Sequence, residues 1–481
     1  MRLNVVLRYV GVVMLFIASF MLLSAGVSWW NNVDTAFYPL LLSSLLTALL
    51  GGFPLIFVER HEQISTKEGF CIVVGSWLLA CFVSMFPYLI WGGEFTLINA
   101  WFESVSGYTT TGASILTNVE ALPRGLQFWR FSTTWIGGMG VVMFALVVLP
   151  TIGRSKMTLS NVELSAMAKD NYHYRSQMIV QILLVVYVGL TAVSALALKA
   201  AGMNWFDAIC HAMSACSTSG FSTKNASVAA FNSPMIDGIL IITMCLAGMH
   251  FGLIYATVIG KRNNIFRSEV TRWYVGILIM CSLIITISLY VNDIYPTLTS
   301  SFRYATFQFF SLMTTTGFAT ADSSAWPPLC IIILMFGTII CACAGSTSGG
   351  LKTNRLVLAI KTIRMQIQRQ QHPNAILRIK LDGNTQEDSV IYGVLIFVVT
   401  YILAIFLSTV INTLCGLDLI TSFSATIACI GNVGPGFGEV YSFGNFAEIP
   451  VAVKASSTFF MLLGRLEIFG LIQLFFIKWW R

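Results

Sequence analysis

Four short polar runs interrupt an otherwise apolar chain: Thr109-Thr110-Thr111-Gly112, Ser217-Thr218-Ser219-Gly220, Thr314-Thr315-Thr316-Gly317 and Gly431-Asn432-Val433-Gly434. They carry no titratable side chain, so they suit binding rather than bond-making. A ring of main-chain carbonyls can replace the water shell of a dehydrated cation. Glycine in the last place permits the backbone angles that such a strip needs. The pattern predicts an ion site built from the carbonyls of Thr110, Thr111, Gly112, Thr218, Ser219, Gly220, Thr315, Thr316, Gly317, Asn432, Val433 and Gly434. No covalent chemistry is required, and the chain reads as a non-enzyme.

The elements that must hold these strips show in the same register. Sixteen residues before each glycine stands a helix-capping residue: Thr96, Asn204, Ser301 or Asp418. Six before it stands a small residue: Ser106, Ser214, Ser311 or Ala428. Cap, short helix and strip form one unit used four times. Each short helix aims its negative dipole end at a common centre. The plainer alternative is four polar loops between membrane helices; the shared register of cap, small residue and glycine argues against it.

Composition places these units in a bilayer. Of 481 residues, 56% are hydrophobic and 10% charged, against about a quarter charged in ordinary domains. Long apolar runs indicate helices rather than a barrel. The net charge of +7 follows from the positive-inside rule and does not call for nucleic acid. Most of the eleven cysteines, such as Cys81, Cys245 and Cys281, lie in apolar runs and read as small buried residues, not disulfides. Cys341-x-Cys343 lacks zinc-site partners. Arg2 and Arg8 precede a first apolar run too long for a signal peptide, so it reads as an uncleaved span.

The predicted fold is an all-α polytopic membrane protein: four helix–pore-loop–helix repeats around a pseudo-fourfold pore, plus two extra N-terminal transmembrane helices. The expected divisions are 1–66 for the two leading spans, then repeats at 67–160, 161–266, 267–386 and 387–481. Expected spans run at 5–30, 36–58, 68–91, 125–152, 175–201, 234–260, 270–292, 327–368, 389–415 and 450–480. The four short helices cannot cross the roughly 30 Å apolar core and must enter and leave on one side. Basic residues choose the side. Arg60, Lys67, Arg154, Lys156, Lys261, Arg262, Arg267, the group from Arg355 to Lys380, Lys478 and Arg481 all fall opposite the strips. The strips' flanks carry only Arg124, Lys224, Arg303 and Lys454. Both termini are therefore expected in the cytoplasm, with the strips opening outward.

The second helix of each unit carries a glycine 26 to 30 residues past the strip: Gly138, Gly248, Gly345 and Gly464. These allow close helix approach near an axis, though ordinary packing explains Gly138 and Gly248 as well. Gly345-Ser346-Thr347-Ser348-Gly349-Gly350 is a poor helix former at mid-membrane depth. It reads as an irregular loop able to obstruct the path, or else as a helix kinked at glycines. Arg465 beside Gly464 is a charge in a span; it faces either the pore axis or an interhelical salt bridge. Glu467 points to another face, toward a neighbouring helix. Arg130 and Lys199 near span ends can snorkel to the interface. His211 reads as a core or aqueous-face residue. Glu103 and Asp207 either enrich cations at the outer mouth or make structural hydrogen bonds. Trp29, Trp30, Trp479 and Trp480 fit an interfacial belt.

These residues resemble the Trk/Ktr/HKT superfamily of potassium transporters. Thr110-Thr111-Gly112 is similar to a filter sequence of that family, and Asn432-Val433-Gly434-Pro435-Gly436 to its fourth filter. Trp135-Ile136-Gly137-Gly138-Met139-Gly140 and Ala344-Gly345-Ser346-Thr347-Ser348-Gly349-Gly350-Leu351-Lys352 look like its second-helix motifs. The two leading spans and the length point to the TrkH branch, and the likeness covers the whole chain. It implies K⁺ as the transported ion and no covalently bound cofactor. It further implies a homodimer with one pore per protomer in the bacterial cytoplasmic (inner) membrane, in contact with lipid. A cytosolic TrkA-type nucleotide-binding subunit would regulate it. The family places its gate at the loop matching 344–350 and an arginine at the position of Arg465. In this superfamily a serine at the first filter glycine goes with sodium transport; Gly112 here favours potassium. Ser219, Asn432 and Val433 depart from the pattern, so the four sites are unequal. The chain has no Gly-x-Gly-x-x-Gly after a strand and no P-loop, which puts any nucleotide on the partner. A different reading remains: a cation symporter, K⁺ with H⁺ or Na⁺, working by alternating access through broken helices.

Overall fold

The computed structural model describes residues 2–59, 65–140, 176–261, 264–375 and 377–473. Two antiparallel helices lead: α1 (Leu3–Trp30) and α2 (Phe37–Phe57). They cross at glycine against glycine. A Cβ on Gly11 would stand 2.5 Å from the Gly51 carbonyl oxygen, and one on Gly51 would stand 2.7 Å from that of Gly11. Small residues let backbones meet where lipid offers no competing hydrophobic drive.

Four related units follow. The first runs through α3 (Thr66–Ser84), α4 (Phe86–Trp91), the half-helix α5 (Leu97–Tyr108) and α6 (Arg124–Gly138). The second contains α7 (Ser176–Ala200), the half-helix α8 (Trp205–Ser217), α9 (Pro234–Ala247) and α10 (Phe251–Val258). The third has α11 (Glu269–Val291), the half-helix α12 (Leu298–Met313), α13 (Pro328–Ile340) and α14 (Thr353–Gln371). The fourth has α15 (Asp388–Leu414), the half-helix α16 (Leu419–Gly431), α17 (Val451–Arg465) and α18 (Phe469–Ile472). Among the described residues, six helices are long and apolar enough to cross a membrane.

Side-chain caps set where the half-helices begin. Thr96 accepts from Asn99 N, Asn204 from Asp207 N, and Asp418 from Ile420 N and Thr421 N, as the spacing predicts. The third half-helix differs. Its cap is Thr297, which accepts from Ser300 N, and Ser301 lies inside the helix with its hydroxyl returned to Thr297 O. Thr297 supplies the same oxygen one turn earlier, so α12 gains length at its outer end.

The expectation of continuous second helices is corrected in the second and fourth units, while the third is irregular where the loop reading of 345–350 puts it. α9 and α10 meet at 105° across Gly248, Met249 and His250. Residues 341–352 between α13 and α14 are irregular, and α17 ends at Arg465, with Glu467 and Ile468 both at φ 53°. α6 stops at Gly138, Gly140 follows at φ 83°, and residues 141–152 of the expected span lie outside the described residues. Arg60, Arg154, Lys156, Arg262, Lys478, Arg481, Trp479, Trp480 and the boundary at 160 also lie outside them. The expected span at 68–91 is one of the six, Lys67–Trp91, divided at Met85 ahead of Pro87 in the first turn of α4.

Ion pairs join the elements opposite the strips. Arg2 meets Glu68 at 2.9 Å and Lys361 meets Glu269 at 2.6 Å. A short hairpin pairs Lys380–Leu381 with Asn384–Thr385, and its turn residues Asp382 and Gly383 have the positive φ that a two-residue hairpin loop requires. The Asp382 carboxylate accepts from Ser268 Oγ and Glu269 N, which docks the hairpin on the start of α11. All eleven cysteines are free thiols, nine of them buried.

Candidate ion site

Each half-helix hands its end to the strip through one repeated bond. The carbonyl of the small residue accepts the N–H five residues on. Ser106 O takes Thr111 N at 2.9 Å, Ser214 O takes Ser219 N at 3.0 Å, and Ser311 O takes Thr316 N at 2.8 Å. Ala428 O takes Val433 N at 2.8 Å. Between the two, Thr110, Thr218, Thr315 and Asn432 adopt left-handed φ of 55°, 53°, 61° and 55°. The glycines follow at 75°, 79°, 79° and 98°, while the residue between keeps negative φ. This alternation of hand turns successive carbonyls toward one side of the strip. Left-handed threonine is strained, because its branched Cβ crowds the backbone.

The strips close into a ring. A Cβ on Gly112 would lie 1.6 Å from Ser219 O, and one on Gly220 2.1 Å from Thr316 O. One on Gly317 would lie 2.1 Å from Val433 O, and one on Gly434 2.4 Å from Thr111 O. Each glycine therefore abuts a carbonyl of the next strip, in the order first, second, third, fourth, first. The four runs, far apart in sequence, surround one centre. Side chains brace it: Thr109 Oγ1 lies 2.8 Å from Thr111 Oγ1, and Thr314 Oγ1 2.8 Å from Thr316 Oγ1. Asn432 Nδ2 donates to Thr111 Oγ1 at 3.0 Å and to Met461 O at 3.0 Å, tying the fourth quarter to the first. Thr110 Oγ1 and Asn432 Oδ1 are buried without a hydrogen-bond partner among the described residues.

The glycine-rich segment 345–350 is a loop that passes directly under this ring. Gly349 N donates to Thr315 Oγ1 at 3.4 Å, and a Cβ on Gly349 would stand 2.6 Å from both Asn432 Oδ1 and Gly431 O. Thr347 Oγ1 donates to Cys216 O at 3.0 Å, and Ser346 Oγ donates to Cys343 O at 2.6 Å and lies 2.7 Å from Ser348 Oγ. Gly345, at φ 81°, packs against the His250 ring, and Gly350, at φ 71°, against Cys341 Sγ. The kinked-helix alternative is thereby excluded. Arg465 donates to Thr347 O at 2.7 Å, Gly137 O at 2.6 Å and Gly138 O at 3.0 Å. It thus links the loop to the end of α6. Glu467 turns the other way, as expected, and meets Lys352 at 3.1 Å and Arg355 at 2.7 Å. Trp77, Gly138, Ser346, Lys352, Arg465 and Glu467 are among the residues lining a cavity of about 190 Å³ below the loop.

The glycines of the second helices let the half-helix ends come close. A Cβ on Gly137 would stand 1.9 Å from Tyr108 O, and one on Gly464 2.0 Å from Ile430 O, both at half-helix ends. Gly137, beside the expected Gly138, was legible as a double glycine but not singled out. Two loop supports were also missed. His250 Nδ1 accepts from Gly252 N at 3.0 Å, and Asn354 Oδ1 accepts Ala344 N at 2.7 Å. Their only sequence signal is nearness to the glycines. The snorkelling expected of Arg130 is corrected: it is 1% exposed and paired with Glu103 at 2.7 Å. Glu103 and Asp207 are buried and hydrogen-bonded rather than open to the mouth. His211 is a core residue, and Lys199 Nζ sits 5.6 Å from the Trp205 ring centre.

Residues 41–479 match the TrkH family, described as a cation transport protein. The Trk system potassium uptake protein TrkH of Salmonella typhimurium is 34% identical over the full length of both chains. Its counterpart in Escherichia coli K12 is 33% identical, also over the full length of both. The crystal structure of the potassium transporter TrkH from Vibrio parahaemolyticus superposes with a TM-score of 0.89 at 30% identity, covering all of each chain.

Proposed function

Because the chain belongs to the TrkH family of cation transport proteins, we propose that it is the potassium-uptake subunit of a Trk system, with the four strips as its selectivity filter. The single observation that carries the filter reading is the closed ring in which every strip glycine abuts a carbonyl of the next strip. The twelve residues Thr110 to Gly112, Thr218 to Gly220, Thr315 to Gly317 and Asn432 to Gly434 line it. Their carbonyls replace water around K⁺ as it passes. The loop 345–350 is the gate, held shut under the ring by Gly349 on Thr315 and by Arg465 on Thr347.

The protein sits in the bacterial cytoplasmic membrane with the strips opening outward. Arg2, Lys361, Lys380 and the hairpin lie on the cytoplasmic side. α14 and the hairpin offer the site for a cytosolic TrkA-type regulatory subunit, and two protomers pair with one pore each. K⁺ is cargo; no resident cofactor takes part. A membrane potential contributes roughly 2.3 kcal/mol per charge per 100 mV, so passive gated conduction supports uptake against a gradient. The test is ion flux into vesicles holding the purified protein. K⁺ uptake that exceeds Na⁺ uptake in the wild type, and loses that preference in Gly112→Ser, is expected. Equal entry of both ions would overturn the filter. The broken second helices also suit alternating access; strictly coupled flux without single-channel currents would favour that reading.

A further inference from the structure

The backs of the strips are held by buried polar side chains that recur in register. Nine residues before the strip glycine stand Glu103, His211 and Gln308. Each reaches the chain just beyond its own glycine. Glu103 accepts from Ser114 Oγ at 3.0 Å and Ile115 N at 3.1 Å, and Arg130 pairs with it. His211 Nδ1–H donates to Asp207 O at 2.8 Å, since a carbonyl only accepts. That leaves Nε2 of the neutral ring to accept from Ser222 Oγ at 3.0 Å. Gln308 Nε2 donates to Ala321 O at 2.7 Å. In the fourth unit this position is Ala425, and Ser424 beside it takes over: its Oγ accepts from Phe437 N at 2.9 Å and donates to Phe437 O at 3.0 Å.

The same groups touch the neighbouring quarter. The Arg130 guanidinium lies 4.0 Å from the ring centre of Phe221, and the His211 ring stacks on Phe318 at 5.7 Å. Phe221 and Phe318 directly follow Gly220 and Gly317. Gln308 Nε2 lies 3.5 Å from Ser442 Oγ of the fourth unit. A carboxylate with arginine, an imidazole, an amide and a hydroxyl thus occupy one structural place.

We propose that Glu103 with Arg130, His211, Gln308 and Ser424 are positioning residues for ion discrimination. They fix the width of the carbonyl ring by tying the exit of each strip to its half-helix. The proposal rests on the strips being the filter. A binding constellation keeps its geometry only when the side chains behind it are locked by hydrogen bonds, and loosening one lets its carbonyl drift. The ring then adapts to the smaller Na⁺.

The experiment measures the K⁺/Na⁺ flux ratio of the full chain in vesicles. Gln308→Leu, His211→Leu and Ser424→Ala each remove the polar contacts of one brace without stranding a charge. Gln308→His and His211→Gln exchange the groups between units and keep a hydrogen-bonding atom. The first three are expected to lower the ratio about fivefold, the scale of one lost hydrogen bond. The exchanged pair should stay within about twofold of wild type. A glue that merely stabilises the fold would change the amount of active protein and leave the ratio alone. Ser424→Ala deletes a single oxygen and is the substitution least able to block folding, so it decides the matter if the leucine variants do not accumulate. An unchanged ratio in the folded variants overturns the proposal. Gly112→Ser run in parallel separates the two failures: if it lowers the ratio and the others do not, the braces alone are refuted. If it too leaves the ratio intact, the filter reading falls.

Discussion

Three threonines in the ring hold a left-handed backbone that branched residues avoid. Such strain costs on the order of 1–3 kcal/mol per residue and persists where surroundings over-determine it. Here the surroundings are the N–H bond back to the half-helix and the glycine contacts between strips. Asn432 tolerates the conformation more easily and adds an amide that clamps Thr111. Gly112 has no such latitude. At φ 75°, with Ser219 O 1.6 Å from where a Cβ would be, Gly112→Ser must push the facing carbonyl away. We expect a fall in K⁺ preference over Na⁺ in vesicle flux, and unaltered selectivity would remove Gly112 from the filter. The registers of Thr110, Thr111 and Gly112 were readable because they repeat. The role of Arg465 was not, because sequence gives a charge at a depth and no partner. Among the described residues it donates to the carbonyls of Thr347, Gly137 and Gly138. Arg465→Ala should free the loop and speed K⁺ passage; protein that no longer folds would instead make the arginine a structural strut.

Among the elements, the half-helices were legible in type and nearly in position, and the exception shows why. A cap is recognised by an oxygen before a helical pattern, and Thr297 and Ser301 both qualify, one turn apart. Local sequence does not rank them; the bond from Ser300 N does. Thr297→Ala should therefore cost about 1 kcal/mol, the usual worth of a cap, and lower the melting midpoint of the purified protein more than Ser301→Ala. The reverse order would restore Ser301. The second helices were less legible. Only 345–350 announced a break, through its run of glycine and serine. The 105° bend after α9 comes at Gly248-Met249-His250, a sequence that a continuous membrane helix also tolerates. The bend is a tertiary matter: His250 must pack on Gly345. The loop predicts its own test. Removing residues 346–348 takes away Thr347, which anchors to Cys216 O and to Arg465. Basal K⁺ flux should rise, and a folded variant that conducts less would show that the loop carries the ion rather than blocking it.

For the whole molecule, the fourfold arrangement bears on energetics. Glycine–carbonyl contacts run round the ring in one direction, from each unit to the next in the chain. No two units are paired apart from the rest, as the inverted halves of a rocking transporter would be. Among the strip residues none titrates, so the ring itself has no group with which to bind a co-transported proton. Movement of K⁺ through it should then follow the electrical and chemical gradients alone. At 100 mV, inside negative, roughly 2.3 kcal/mol per charge, set against about 1.4 kcal/mol per tenfold ratio, sustains accumulation on the order of 50-fold. Vesicles clamped at that potential with the loop-deleted protein should fill to this ratio, stop, and empty when the potential is reversed. The plateau should be the same with or without a proton or sodium gradient. A steady ratio well above it, or one that shifts with either gradient at constant voltage, would mean that a second ion drives the uptake and that the carbonyl ring is one stage of a coupled cycle.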